Sequence, residues 1–217
     1  MQYINILMLM EISKQILQVI RNELSVHYRD RPEDIKLYIS ENNIYNVYGL
    51  ITGNRGTPFA GGQYIARLTL PPEYPLKAPK LVLLTPNGRF TINEELCFSF
   101  TDRYNRSVMH KNSSDGWRPT WTFEAMFRVL LSIMITPPPS EDGPVVGLLT
   151  SDDTTISHLA KKSETYNRIH FSDIIDCFDI IPDEFDEHTK MRAAVEAAQS
   201  IANTEDSDEE YDYIDDS

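Results

Sequence analysis

The sequence predicts an α+β fold: an N-terminal helix, a four-stranded antiparallel meander, a long cysteine-bearing loop, a central helix and further helices at the C-terminal end. Two changes of period predict it. Apolar residues recur at helical spacing over residues 11–27, alternate in four short runs between residues 35 and 84, and return to helical spacing from residue 122. Short turns join the four runs, which favours antiparallel neighbours. Helix, then strands, then helices is the order of an α+β chain rather than of alternating β and α units.

Over residues 11–27, Ile12, Ile16, Ile20 and Leu24 fall four apart, Leu17 and Val19 widen the stripe, and Lys14, Gln18, Arg21 and Asn22 lie opposite. One buried face is expected. Residues 1–10 are apolar but have no basic lead and no small-residue cleavage site, so they read as the approach to this helix. The strand runs are 35–39, 44–51, 63–70 and 80–84, separated by Glu41-Asn42-Asn43, by a turn over residues 53–58 and by a proline-rich stretch. In the third run Tyr64, Ala66, Leu68 and Leu70 share one face. Residues 85–120 read as irregular and hold Cys97, and loops of that length in compact domains are usually functional. Residues 122–135 are apolar almost all round, with Thr122 as N-cap and Pro137-Pro138-Pro139 as the stop, which predicts a central helix. Residues 153–169, 172–180 and 187–202 read as three more helices. The expected organisation is a core over 1–170, a helical extension over 171–203 and a disordered acidic tail over 204–217.

Charge narrows the function. The net charge is −13, and residues 204–217 hold eight acidic residues with no Lys or Arg, leaving −5 on the first 203. An acidic body repels phosphate backbones, so no nucleic-acid partner is expected. No run of 18 apolar residues occurs, so no integral membrane segment is expected. The two cysteines, Cys97 and Cys177, are far apart, give no zinc-ligand cluster and fit a reducing compartment, cytoplasmic or nuclear.

Three pieces then stand in order. A glycine-rich turn, Gly56-Thr57-Pro58-Phe59-Ala60-Gly61-Gly62, precedes Pro71-Pro72-Glu73-Tyr74-Pro75-Leu76-Lys77-Ala78-Pro79; Thr85-Pro86-Asn87-Gly88-Arg89-Phe90 precedes Leu96-Cys97-Phe98-Ser99; and Trp117-Arg118-Pro119-Thr120-Trp121 precedes the central helix. This order resembles the ubiquitin-conjugating enzymes, over roughly residues 11–167. The TPNGRF stretch and Ser163-Glu164-Thr165-Tyr166-Asn167 resemble the family's endoplasmic-reticulum branch, which usually ends in a tail anchor. No such anchor is read here, and about twelve additional residues between Cys97 and Trp117 resemble a different branch, one with a long active-site loop and an acidic tail. The insertion, residues 101–116, is not acidic, since Arg103, Arg106 and Lys111 outnumber Asp102 and Asp115. No branch is assigned.

The resemblance implies that Cys97 accepts ubiquitin as a thioester from an activating enzyme and passes it, with a ubiquitin ligase, to a lysine of a protein substrate, or to Ser or Thr. Thiolate suits this work because it is both a good nucleophile and a good leaving group. No cofactor is implied, because ATP is consumed by the activating enzyme. The family places an oxyanion-stabilising Asn eight positions before the cysteine, where this chain has Arg89; Asn87 lies ten before and is the candidate donor, with Arg89 or another group as the alternative. Ser99 sits where the family lines the acceptor path. The ligase-facing surface would comprise the N-terminal helix, Leu76, Arg118, Pro119 and Thr120. His110 is not expected to act, because thioester exchange requires no base, and Cys177, among Ile174, Ile175 and Phe178, reads as core. Two rivals stay open: an inactive variant that only binds ubiquitin or a ligase, and a carrier of another ubiquitin-like modifier. The acidic tail either is simply solvated or steers the chain onto a basic groove of a ligase.

Overall fold

The computed structural model describes residues 2–40, 43–107, 116–136 and 148–182, with side chains described from residue 14 onward except that of residue 15. Helix α1 spans Gln2–Asp30, beginning well before the expected residue 11. Ile16, Ile20, Leu24 and His27 form its buried line. Leu17, expected to widen that line, is instead 47% exposed. It lies about 100° round the helix from Ile16, and α1 presses on the domain along a narrow stripe only. The helix stops at Arg31, whose left-handed φ of 42° and N–H to the His27 carbonyl (2.8 Å) make an αL cap without glycine, and Pro32 follows.

Strands β1 (Ile35–Ile39), β2 (Asn46–Thr52), β3 (Gln63–Thr69) and β4 (Lys80–Leu83) form the predicted meander in the order β1-β2-β3-β4. Leu37, Gly49, Ala66 and Leu83 stand in register across it. Helix α3 (Phe123–Ile135) packs on this face, and it comes so close that a Cβ at Gly49 would sit 2.8 Å from the Phe127 ring. Thr122 caps α3 as predicted, accepting from the Ala125 N–H. The alternation in β3 places Tyr64, Ala66 and Leu68 in the core, but its other face is also covered. Ile65 and Leu50 meet Leu84 and the apolar side chains Ile174, Ile175 and Phe178. These come from helix α5 (Ser172–Ile175) and a short 3-10 helix (Asp176–Asp179), which divide the single helix expected over 172–180. Phe178 takes the buried place there; Cys177, expected in the core, is half-buried and donates weakly to the Asp173 carbonyl. A chain turning from α to 3-10 geometry changes its angular step, so the residue before Phe178 swings to the margin.

Helix α4 (Asp153–His170) is fastened to β3 by polar bonds rather than by apolar burial alone. The Ser163 hydroxyl accepts from Gln63 N–H (2.8 Å), and the Asn167 amide donates to the Gln63 carbonyl (2.9 Å). Thr85 links both sides, accepting from Ile65 N–H (2.9 Å) and donating to Asn167 Oδ1 (2.6 Å). The described residues form one compact unit through Ile180. The helix expected over 187–202, the acidic tail, the three prolines after α3 and His110 all lie outside the described residues. Among the described residues no helix is long and apolar enough to cross a membrane.

Replacing Asn167 with Ala leaves the buried Thr85 hydroxyl and the Gln63 carbonyl without that partner, at a cost of about 2–3 kcal/mol. Urea unfolding of the two proteins measures it, and a difference below about 0.5 kcal/mol contradicts the role given to this network.

Candidate active site

Cys97 lies in the sequence Leu96-Cys97-Phe98-Ser99-Phe100, which alternates like a strand although it forms none. Leu96, Phe98 and Phe100 are buried, so Cys97 and Ser99 are both turned outward and half-buried. Phe100 packs on Trp121 (5.1 Å between ring centres) and Phe98 on Phe90 (5.9 Å). Thr101 fixes the backbone on both sides of the thiol. Its buried hydroxyl accepts from Phe98 N–H (3.0 Å) and has the Leu96 and Phe98 carbonyls at 3.0 and 2.9 Å as acceptors. Leu96 N–H donates to the Leu81 carbonyl (2.8 Å), tying the segment to β4. Below it sits α2 (Asp102–Arg106), a five-residue helix within the stretch read as irregular, too short to show a period. Burial pushes the Cys97 thiol up from its ordinary pKa; the Arg103 charge pulls it down and Glu95 adds a smaller upward push.

Asn87 is buried, and every hydrogen-bonding position of its side chain is used within its own turn. Oδ1 accepts from Arg89 N–H (2.8 Å) and Phe90 N–H (2.7 Å), while Nδ2 donates to the carbonyls of Thr85 (3.0 Å) and Phe90 (3.0 Å). Gly88 within that turn has φ of 79°, and a Cβ there would meet Ile156 at 3.0 Å, so the turn needs glycine twice over. Arg89, the alternative donor, is buried and gives a guanidinium hydrogen to the Thr136 carbonyl at the end of α3. The structure therefore brings Cys97 and Ser99 outward together, commits both amide hydrogens of Asn87 to backbone carbonyls and gives one guanidinium hydrogen of Arg89 to another, while the buried Arg89 Nε has no partner among the described residues.

The second expected surface lies on the proline-rich loop. Leu76 is 78% exposed, and Arg118, Pro119 and Thr120 are exposed in the loop before α3. Tyr74 joins the two loops: its ring stacks on Phe123 (5.9 Å) and meets Trp117 at a tilt (5.7 Å), and Trp117 Nε1–H donates to the Pro75 carbonyl (2.9 Å). One residue that sequence reasoning missed joins this to α1. Glu23 accepts from Phe123 N–H (2.5 Å) at the start of α3 and from the Tyr74 hydroxyl (3.3 Å). Nothing in the helical period marks Glu23, since its partners lie 51 and 100 residues away. Among the described residues no group of three or more His, Cys, Asp or Glu is placed to hold a metal ion.

Burial raises Glu23 to about 7, against the hydrogen bonds from Phe123 and Tyr74, which lower it. A raised folded-state pKa means that the folded chain holds this proton more tightly than the unfolded one. Its contribution to stability is full below about pH 4.5 and is lost as pH rises to about 7. The stability of the native chain relative to Glu23→Gln is expected to fall across that window and then level off. Unfolding curves at pH 5, 6, 7 and 8 measure it; a difference independent of pH contradicts the assignment.

The family model described as "Ubiquitin-conjugating enzyme" matches residues 19–147. The chain is 34% identical over 128 residues to a probable ubiquitin-conjugating enzyme E2 33 of Arabidopsis thaliana, covering 59% of this chain and 47% of that one. It is 35% identical over 125 residues to ubiquitin-conjugating enzyme E2 J2 of Mus musculus, covering 58% and 43%. Among solved structures, human ubiquitin-conjugating enzyme E2 G1 aligns with a TM-score of 0.43 and 26% identity over 54% of this chain and 92% of that one. The chain spans about half the length of the curated relatives it matches. With the family model covering more than half of the sequence, from the middle of α1 past α3 and across the cysteine loop, the chain belongs to the ubiquitin-conjugating enzyme family.

Proposed function

We propose that the protein carries ubiquitin as a thioester on Cys97. The observation that supports this most is the outward thiol held on three buried neighbours, Leu96, Phe98 and Phe100, in a chain of this family. In the loading step the Cys97 thiolate attacks the thioester carbonyl of ubiquitin on an activating enzyme. A new C–S bond forms, and the activating enzyme's thiolate leaves. In the second step an acceptor amine attacks the Cys97 thioester, the C–S bond breaks, Cys97 leaves as thiolate and the amine's proton passes to solvent. A lysine of a protein substrate is the expected acceptor, with a Ser or Thr hydroxyl as a lesser one. No group on this chain needs a cofactor for either step.

The remaining residues take supporting roles in this reading. Ser99, outward beside Cys97, lines the approach of the acceptor. Asn87 serves by holding its turn in place rather than by donating to the oxyanion, because both of its amide hydrogens are already given to Thr85 and Phe90. Exposed Leu76 supplies a small apolar anchor for a ligase, with Arg118, Pro119 and Thr120 beside it. Glu23 and Tyr74 keep that surface and α1 in one arrangement. Chemistry that depends on a free thiol suits a reducing compartment such as cytosol or nucleus.

The test is a charging assay with ubiquitin, an activating enzyme and ATP. A band heavier by one ubiquitin is expected, lost on adding thiol, absent in Cys97→Ala and retained in Cys177→Ala. No band while control enzymes charge normally would sink the reading and leave a binding-only role or another modifier, told apart by repeating the assay with other modifiers and their activating enzymes.

A further inference from the structure

Two carboxylates stand immediately before the reactive segment, Glu94 and Glu95, with only Leu96 between them and Cys97. Nearby negative charge opposes formation of the thiolate, and half-burial opposes it further. Helix α2 answers both carboxylates with cations. Arg103 Nη1–H donates to the Glu95 carbonyl (2.7 Å), and the same atom stands 3.6 Å from the Glu94 carboxylate. Arg106 pairs with the Glu95 carboxylate (3.2 Å) and with Asp102 (2.7 Å). On the opposite side the segment is held by β4, through the bridge between Val82 and Glu95 and the bond from Leu96 to Leu81. The residues leading into Cys97 are thus gripped between the edge of the sheet and one guanidinium.

We infer that Arg103 is the positioning residue of Cys97: its guanidinium clamps the backbone at Glu95 and offsets the two carboxylates that precede the thiol. The two functions need the same group in the same place. A single nitrogen, Nη1, faces both the Glu95 carbonyl and the Glu94 carboxylate, so one cation at that point serves both, and a lysine ammonium keeps the charge there. The electrostatics run in the same direction, since Arg103 lowers the thiol's pKa while Glu95 raises it. Arg106 works one step further back, pairing with the Glu95 carboxylate, whose charge opposes the thiolate. The inference rests on the carrier reading for its purpose, but its test does not need ubiquitin.

Alkylation of Cys97 by iodoacetamide, followed between about pH 6 and 10 in a Cys177→Ser background, reports the thiolate directly. In Arg103→Gln the midpoint is expected to move up, so that the rate at pH 7 falls about three- to tenfold, each pKa unit being tenfold in thiolate below the midpoint. The plateau at high pH is expected to stay unchanged. Adding Glu95→Gln to that variant restores part of the loss, and Arg103→Lys keeps most of the native rate. The single variant Glu95→Gln, which leaves its backbone bond to Arg103 in place, is expected to move the midpoint down, and it stands in as the test if Arg103→Gln does not fold. An unshifted midpoint in Arg103→Gln, or in Glu95→Gln, overturns the inference, as does a change confined to the plateau, which signals altered exposure. A shifted midpoint in a chain that takes no ubiquitin would sink the carrier reading alone; normal charging with an unshifted midpoint would sink this inference alone.

Discussion

Presenting one thiol on an irregular stretch of chain creates a hydrogen-bonding problem before it creates a chemical one. Between β4 and α3 the backbone has few ladder partners, and every buried N–H and C=O there must be satisfied some other way. Two short polar side chains do most of it. Asn87 bonds four backbone groups of its own turn, and Thr101 bonds the backbone on either side of Cys97. With these in place the apolar side chains Phe90, Leu96, Phe98 and Phe100 are buried around a bonded backbone, and Arg89 Nε is a buried donor in this turn with no partner among the described residues. The thiol is outward because its neighbours are inward.

The rest of the fold serves as the wall against which that loop is set. The sheet is covered on both faces, by α3 on one and by α5 with the 3-10 helix on the other, so β4 is a rigid edge for the loop to bond to. Helix α4 is locked to β3 through Ser163, Asn167 and Thr85, and its Ile156 side chain closes over Gly88 in the Asn87 turn. Glu23 and Tyr74 perform the equivalent locking on the proline-rich side. The hydrogen-bonded fasteners among these are long-range and, apart from the half-buried Glu23, buried. They are costly to leave unpaired and so define one arrangement strongly.

Much of this was legible in the sequence. The strands to within one or two residues, the order of the meander and the Thr122 cap follow from local pattern, and local pattern carries them because each depends on neighbours within a few positions; the exposed Leu76 came from the family resemblance. The alternation of Leu96, Phe98 and Phe100 with Cys97 and Ser99 lies inside the stretch read as irregular, and burial of the three apolar side chains is what turns the thiol outward. What could not be read depended on partners far away. Glu23 looks like one more polar residue on a helix until Phe123 is seen above it. Thr101 looks like a loop hydroxyl. The Ser163 and Asn167 pair stood out only as part of a familiar stretch, and its reason is the open end of β3. Leu17 and Cys177 were placed too deep because an apolar period shows which residues can be buried, and packing decides which of them are. Counting eight positions before Cys97 lands on Arg89, with Asn87 two positions earlier, but no count shows which groups either side chain bonds.

The central claim is that Asn87 and Thr101 build the platform for Cys97, and Asn87 tests it most directly. Amide hydrogen exchange across residues 85–101, compared between the native chain and Asn87→Ala, separates scaffold from chemistry. The account predicts that the Arg89 and Phe90 amides, which bond Asn87 Oδ1, lose protection, that protection of the β1–β3 ladder is kept, and that loading of Cys97 slows along with its discharge. Unchanged protection at those two amides, with only the discharge step slowed, would contradict it and make Asn87 a donor to the reacting carbonyl.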